Sequence, residues 1–139
     1  NGEKKSGVTI HELTPEIDGG NIVIQKEFEL LNEYTAQDVL DKNVDVASKL
    51  LPNLIKGIEQ NSLSPIKQVK LGNEYICKLR KYEDGEILKG MSVKNIYDMA
   101  RALADPWPGV FYFDKNEKII LNNKISMSKA EKIFKIINC

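Results

Sequence analysis

Arginine, histidine and cysteine are scarce in this chain of 139 residues, which holds two Cys and one His. Its arginines are Arg80 and Arg101, the other basic residues being Lys, so forked two-point recognition of phosphate has few candidates. Cys77 and Cys139 show no Cys-x-x-Cys spacing, which implies neither a disulfide framework nor a zinc site and makes a reducing cytoplasm the default setting. An excess of either charge is also missing. Twenty Lys+Arg against twenty Asp+Glu give a net charge of zero, which removes any global pull toward nucleic acid or anionic lipid. No apolar run approaches the roughly 20 residues that span a bilayer, and no signal-peptide pattern opens the chain. Gly-x-Gly-x-x-Gly and Walker-type phosphate cradles are absent, as are internal repeats.

What is present suits a packed fold. The chain is 42% hydrophobic and 29% charged, the balance of a sequence that buries a core. Its length fits one domain or a large fragment of one. The neutral total hides an asymmetry: residues 1–38 are acidic, whereas residues 114–139 carry six Lys against Asp114, Glu117 and Glu131. The chain opens on Asn rather than Met, with no turn or cap to introduce it, and is expected to be cut from something longer.

Alternation predicts a strand over residues 7–13 and a second over 21–30, with Ile22, Ile24, Phe28 and Leu30 on period two. Between them, residues 14–20 carry Pro15 and the Gly19-Gly20 pair and read as a loop. Thr35 to Asp38 has the spacing of a capping box, in which a hydroxyl and an acid three residues on satisfy each other's backbone. Leu40, Val44, Ala47, Leu51, Leu54 and Ile58 then predict an amphipathic helix to about residue 60, kinked at Pro52. Residues 61–65 end it. A short extended stretch is expected at residues 75–79 and a turn at 81–85. Ser92 is placed to cap a helix carrying Val93, Ile96, Tyr97, Ala100 and Leu103, which Asp105 to Gly109 stops. Strands at 110–113 and 118–122 flank a polar turn, and a last helix runs over 128–137 with a capping box at Ser128 to Glu131.

The residues able to carry chemistry are few. Asp18 sits between Ile17 and two glycines. It reads either as a turn residue bonding its own backbone or as a general base beside a ligand that glycines let the backbone approach. His11 ends the first strand with no Ser or Cys nucleophile placed with it, and is structural or a support for that loop. Trp107, between two prolines, pins a loop or wedges against a ligand. Arg80 and Lys81 lie by an acidic turn that is either solvated or substrate-facing.

Gly7-Val8-Thr9-Ile10-His11, followed after a gap by Asp18-Gly19-Gly20 and Ile22-Val23-Ile24-Gln25, resembles the second half of the formyltransferase domain. Asn1-Gly2-Glu3 fits the family's segment before that strand. Arg101 to Phe111, reading RALADPWPGVF, is similar to a later segment of methionyl-tRNA and nucleotide-sugar formyltransferases. The resemblance covers residues 1 to about 123. It implies an α/β architecture: the C-terminal half of a Rossmann-like formyltransferase domain (1–61), a linker and substrate-side loop (62–91), and a small α+β extension (92–139). It further implies N10-formyltetrahydrofolate as formyl donor, Asp18 as the proton acceptor, and His11 as support for its loop. Ile17, Gly19 and Gly20 would border the pterin, Arg80 and Trp107 would lie on the substrate side, and no metal is involved.

The family's Asn and His lie upstream of the region seen here. The chain alone is therefore expected to lack complete machinery, and an open sheet edge suggests homodimerisation through exposed strands. The acceptor implied is an amine-bearing small molecule, a nucleotide-linked amino sugar. Initiator tRNA is the alternative, mildly favoured by the basic tail but opposed by zero net charge. A non-catalytic remnant that binds a partner through its open edge is a third reading.

Overall fold

The structure, a computed structural model, describes residues 2–69, 72 and 77–139. Strand β1 (Lys5–His11) pairs antiparallel with β2 (Ile22–Glu29). The first strand thus starts before the alternation predicts and ends short of Leu13; its register shifts by a bulge between Ile10 and His11, beyond which His11 pairs with Ile22. Helix α1 (Ala36–Glu59) runs without interruption through Pro52. A 3₁₀ turn at Tyr82–Gly85 occupies the predicted turn region. Helix α2 (Val93–Ala102), strands β3 (Val110–Asp114) and β4 (Glu117–Leu121), and helix α3 (Met127–Asn138) complete the chain. The stretch predicted to be extended at 75–79 begins outside the described residues, and residues 77–79 form no strand. Among the described residues no helix is long and apolar enough to cross a membrane.

The chain divides into two units. The first joins Leu31–Val39 to Lys78–Cys139, with Gly2 and Glu3. Its core is Ile87, Ile96, Ala100, Val110, Tyr112, Ile125, Ala130 and Ile133. Fully burying side chains such as Ile96 and Ile133 is worth about 1.5–3 kcal/mol each. Ser92 caps α2 by accepting from the Asn95 N–H at 3.1 Å, as its position predicts. The β3–β4 hairpin closes through Lys115 and Asn116, both left-handed at φ 47° and 70°, the pairing a twisted two-residue turn needs. Val110 and Tyr112 face the core, while Phe111 stacks on Tyr82 at 5.3 Å. The cap of α3 differs from expectation: Ser126, not Ser128, accepts from Lys129 N–H at 3.2 Å. Ser128 lies one residue inside the helix and its hydroxyl meets that of Ser126 at 3.0 Å.

Segment 31–39 is tied to this unit by its backbone. Arg101 Nη1 donates to Tyr34 O at 2.8 Å, and Lys124 Nζ donates to Glu33 O. The Thr35–Asp38 box forms in both directions, Thr35 N–H to Asp38 Oδ2 at 2.8 Å and Asp38 N–H to Thr35 Oγ1 at 3.2 Å. That backbone bond first, then the hydroxyl, holds the Asp38 carboxyl below the ordinary range.

Asp98 supplies a pH test. Partial burial pushes its carboxyl up, but bonds from Lys94 and Arg101 (Nε to Oδ1, 2.8 Å) outweigh that and leave it lowered. A lowered folded value stabilises the fold above the unfolded carboxyl value and loses that contribution as pH falls through the folded one. The urea midpoint of this unit is therefore expected to drop on acidification below about pH 4, the unfolded Asp range, and Asp98→Asn to flatten that dependence. An unchanged slope in the variant would remove Asp98 from the account.

The second unit comprises Lys4–Leu30 and Leu40–Cys77. It holds the β1–β2 hairpin, the body of α1 and the strand-like return at Ile66, whose N–H and C=O bond Ile22 at 2.8 and 2.7 Å. Asn61, left-handed at φ 49°, ends α1, and Ser62 N–H turns back to Gly57 O at 2.9 Å. The apolar face predicted for α1 is not buried: Leu40, Val44, Leu51 and Ile58 are all exposed, and Val46 and Gly57 are the buried helix positions. The helical period is real, but among the described residues no other element of the unit buries that face, of which Ala47 and Leu54 are half-buried.

Candidate functional site

The loop between β1 and β2 is shaped by its backbone. Beyond the bulge, Glu12 N–H bonds Asn21 O at 2.9 Å and closes the loop's neck. Gly20 is buried there, and a Cβ on it would lie 1.8 Å from Glu12 O. Only glycine fits that crossing. Further out, Thr14 Oγ1 donates to Glu16 O at 3.0 Å and Gly19 N–H to the same carbonyl at 3.2 Å. This winds the chain so that Asp18 adopts φ 51°, a left-handed conformation that Asp and Asn tolerate better than most residues.

Asp18 then presents its carboxylate outward, 87% exposed, with Oδ1 3.5 Å from His11 Nε2. The other ring nitrogen of His11 lies 2.9 Å from Glu12 O. One face of the imidazole is thus anchored on backbone and the other directed at Asp18. Of the two readings open for Asp18, the carboxylate is not used in a backbone turn bond among the described residues; its own carbonyl is bound instead.

That bond comes from Gln68, a residue that no local pattern marks. Its Nε2 donates to Asp18 O at 2.7 Å and to Gly20 O at 2.5 Å, across some fifty residues of chain. The return segment after α1 therefore pins the loop at two points. Ile17, beside the carboxylate, leaves its side chain 90% exposed. Asp18, His11, Ile17, Gly19 and Gly20 are accordingly one cluster within the second unit, with Gln68 added.

Arg80 and Trp107 belong to the first unit and do not share a site there. Arg80 lines a cavity of 490 Å³ with Lys81, Asp84, Lys94, Asp98 and the apolar Met91 and Leu103. Trp107 stands outside that lining, half-exposed, on the turn that Gly109 N–H closes onto Leu103 O at 2.9 Å. Cys77 and Cys139 are free and exposed. Among the described residues no group of three or more His, Cys, Asp or Glu gathers as a metal site.

A hairpin loop thus exposes a left-handed Asp beside a strand His, and sequence comparison shows what the chain resembles. Residues 1–55 match the Formyl transferase family. A particular relative is the bifunctional polymyxin resistance protein ArnA of Wigglesworthia glossinidia brevipalpis, 34% identical over 143 residues, spanning 99% of this chain and 21% of its own length. Among solved structures, the N-formyltransferase of Helicobacter canadensis, in complex with folinic acid and dTDP-3-aminofucose, matches with TM-score 0.69 and 25% identity. That match covers 85% of this chain and 44% of that one. The methionyl-tRNA formyltransferase of Clostridium thermocellum matches with TM-score 0.60 and 25% identity, over 84% and 49%. The chain thus spans about a fifth of the curated relative and about half or less of these solved chains.

Proposed function

We propose that this chain is the proton-accepting part of an N10-formyltetrahydrofolate-dependent formyltransferase whose acceptor is the primary amine of a nucleotide-linked amino sugar. The observation that carries the reading is the exposed Asp18 carboxylate, 3.5 Å from His11 Nε2, on a loop inside the family-matched residues. In this reading residues 1–61 are the second half of a Rossmann-like catalytic domain. Residues 62–91 link it to a small α+β extension over 92–139.

Formyl folate, as co-substrate, supplies the formyl carbon. The cluster fits such a molecule, since the Ile17 side chain offers apolar surface beside the carboxylate and Gly19 carries no side chain to obstruct it. The acceptor nitrogen, on bonding to the formyl carbon, has a proton to shed. Asp18 takes it, directly or through one water; as the bond from that carbon to the folate nitrogen breaks, that nitrogen keeps the electron pair and gains a proton, so donor and acceptor exchange formyl for hydrogen and Asp18 returns to its starting state. His11, fixed by Glu12 O, positions the carboxylate. Gln68 and Gly20 hold the loop that carries Asp18.

The amino-sugar acceptor is favoured over tRNA by the neutral charge and by the scarcity of arginine, Arg80 and Arg101 being the two present. The match to the Helicobacter canadensis enzyme in complex with folinic acid and dTDP-3-aminofucose, TM-score 0.69 against 0.60 for the methionyl-tRNA formyltransferase, points the same way. The test supplies the chain with a separately produced formyltransferase half bearing the upstream Asn and His. Formyl folate is then offered with a nucleotide-linked amino sugar or with charged methionyl-tRNA. Release of tetrahydrofolate with the sugar is expected; turnover with the tRNA alone would overturn the acceptor assignment.

A further inference from the structure

Asp followed by Gly occurs at Asp18-Gly19 and at Asp84-Gly85, and the fold holds the two pairs in opposite ways. Asp84 is locked in the 3₁₀ turn: its Oδ2 accepts from Lys81 N–H at 2.7 Å, and Gly85 is buried. Asp18 and Gly19 are both exposed, and Asp18 Oδ1 faces His11 Nε2 at 3.5 Å rather than a backbone donor. An Asp carboxyl and the amide nitrogen of the next residue can close a five-membered ring, most readily when that residue is Gly and has no Cβ to block the approach.

The peptide unit between Asp18 and Gly19 is arranged for that closure. Its carbonyl accepts from Gln68 Nε2 at 2.7 Å. This bond draws charge from the peptide and eases loss of the Gly19 amide proton, whose own bond to Glu16 O is long at 3.2 Å. On the carboxyl side, His11 is anchored through its other ring nitrogen on Glu12 O at 2.9 Å. Its imidazolium form can give a proton to a departing oxygen.

We propose that Asp18-Gly19 is a self-modification site, at which the folded chain converts Asp18 to isoaspartate through a cyclic imide. Gly19 N gives its proton to water and bonds to Asp18 Cγ. One carboxyl oxygen takes a proton from His11 and one from solvent, and departs as water. Water then adds to either carbonyl of the imide. Opening at Cγ restores Asp18, whereas opening at the main-chain carbonyl routes the backbone through the side chain. Either way the new carboxyl releases a proton that returns to His11, and no other reactant enters. In isoaspartate the carboxylate hangs directly on Cα. The modification does not rest on the formyltransferase reading; its effect on turnover does.

The test incubates the folded chain for days at neutral pH in heavy-oxygen water, then digests it with trypsin in ordinary water for fragmentation by mass spectrometry. Isoaspartate and heavy oxygen are expected at Asp18 in peptide 6–26, severalfold above Asp84 in peptide 82–89. Trypsin leaves Asn1-Gly2, a pair open to a related ring closure, in a different peptide. His11→Gln is expected to slow the incorporation at Asp18 severalfold. Asp18→Asn closes the same ring with ammonia as the leaving group and is expected to convert faster, so its kinetics are read on fresh protein. Equal incorporation at Asp18 and Asp84, an unchanged rate in His11→Gln, or an Asp18→Asn variant that stays intact would each overturn the proposal. Isoaspartate that accumulates at Asp18 while the completed enzyme keeps its full rate counts against Asp18 as the base and not against the modification.

Discussion

Replacing Asp18 with Asn in the completed enzyme is expected to lower kcat by about 10²–10⁴, the usual contribution of a positioned acid or base. The substitution isolates chemistry from structure. Asp18 sits at φ 51°, where Asn is equally at home, and its side chain is 87% exposed, so nothing in the packing distinguishes the two residues. The backbone carbonyl that Gln68 holds is unchanged by the swap. What disappears is a carboxylate able to take a proton. The loss should therefore fall on kcat, with the affinity for formyl folate and the thermal midpoint little altered. Retention of the full rate by the Asn variant would remove Asp18 as the base. A fall in affinity with kcat unchanged would recast it as a binding residue.

The second large effect is expected from Gly20→Ala. Its Cβ would lie 1.8 Å from Glu12 O and 2.7 Å from Glu12 C, both backbone atoms that cannot rotate away. Relief requires the loop to move by more than about an ångström, and displacement of reacting groups on that scale costs about 10²-fold in rate. Asp18 would be carried with it, because Gln68 ties the carbonyls of both residues to one amide. Gln68→Ala, which removes the two bonds without a clash, is expected to give a smaller loss in the same direction. Rate measurements on both variants, beside a denaturation curve for each, check the argument. Undiminished turnover in Gly20→Ala would show that the loop tolerates a different path.

Local patterns foresaw much of this fold because the forces behind them act over a few residues. The reciprocal Thr35–Asp38 box, the Ser92 cap and the left-handed Lys115–Asn116 turn each depend on neighbours within one turn of chain. The α3 cap slipped by two residues because Ser126 and Ser128 are both competent hydroxyls, and only the path of the chain after Ile125 selects between them. Periodicity gave α1 its apolar side correctly but carried no information on whether anything covers it.

The candidate site divides along the same line. The sequence by itself determined that an Asp preceding paired glycines follows a strand that contains a His, and the resemblance carried by those residues is to formyltransferases. Only the tertiary structure decided that the Asp18 carboxylate reaches the imidazole and that Gly20 crosses against Glu12. It alone showed that Gln68 fastens the loop from fifty residues away. A residue's type and spacing fix its chemistry and its local conformation. The partner it meets across the fold is set by how distant segments return, which no short stretch of sequence encodes.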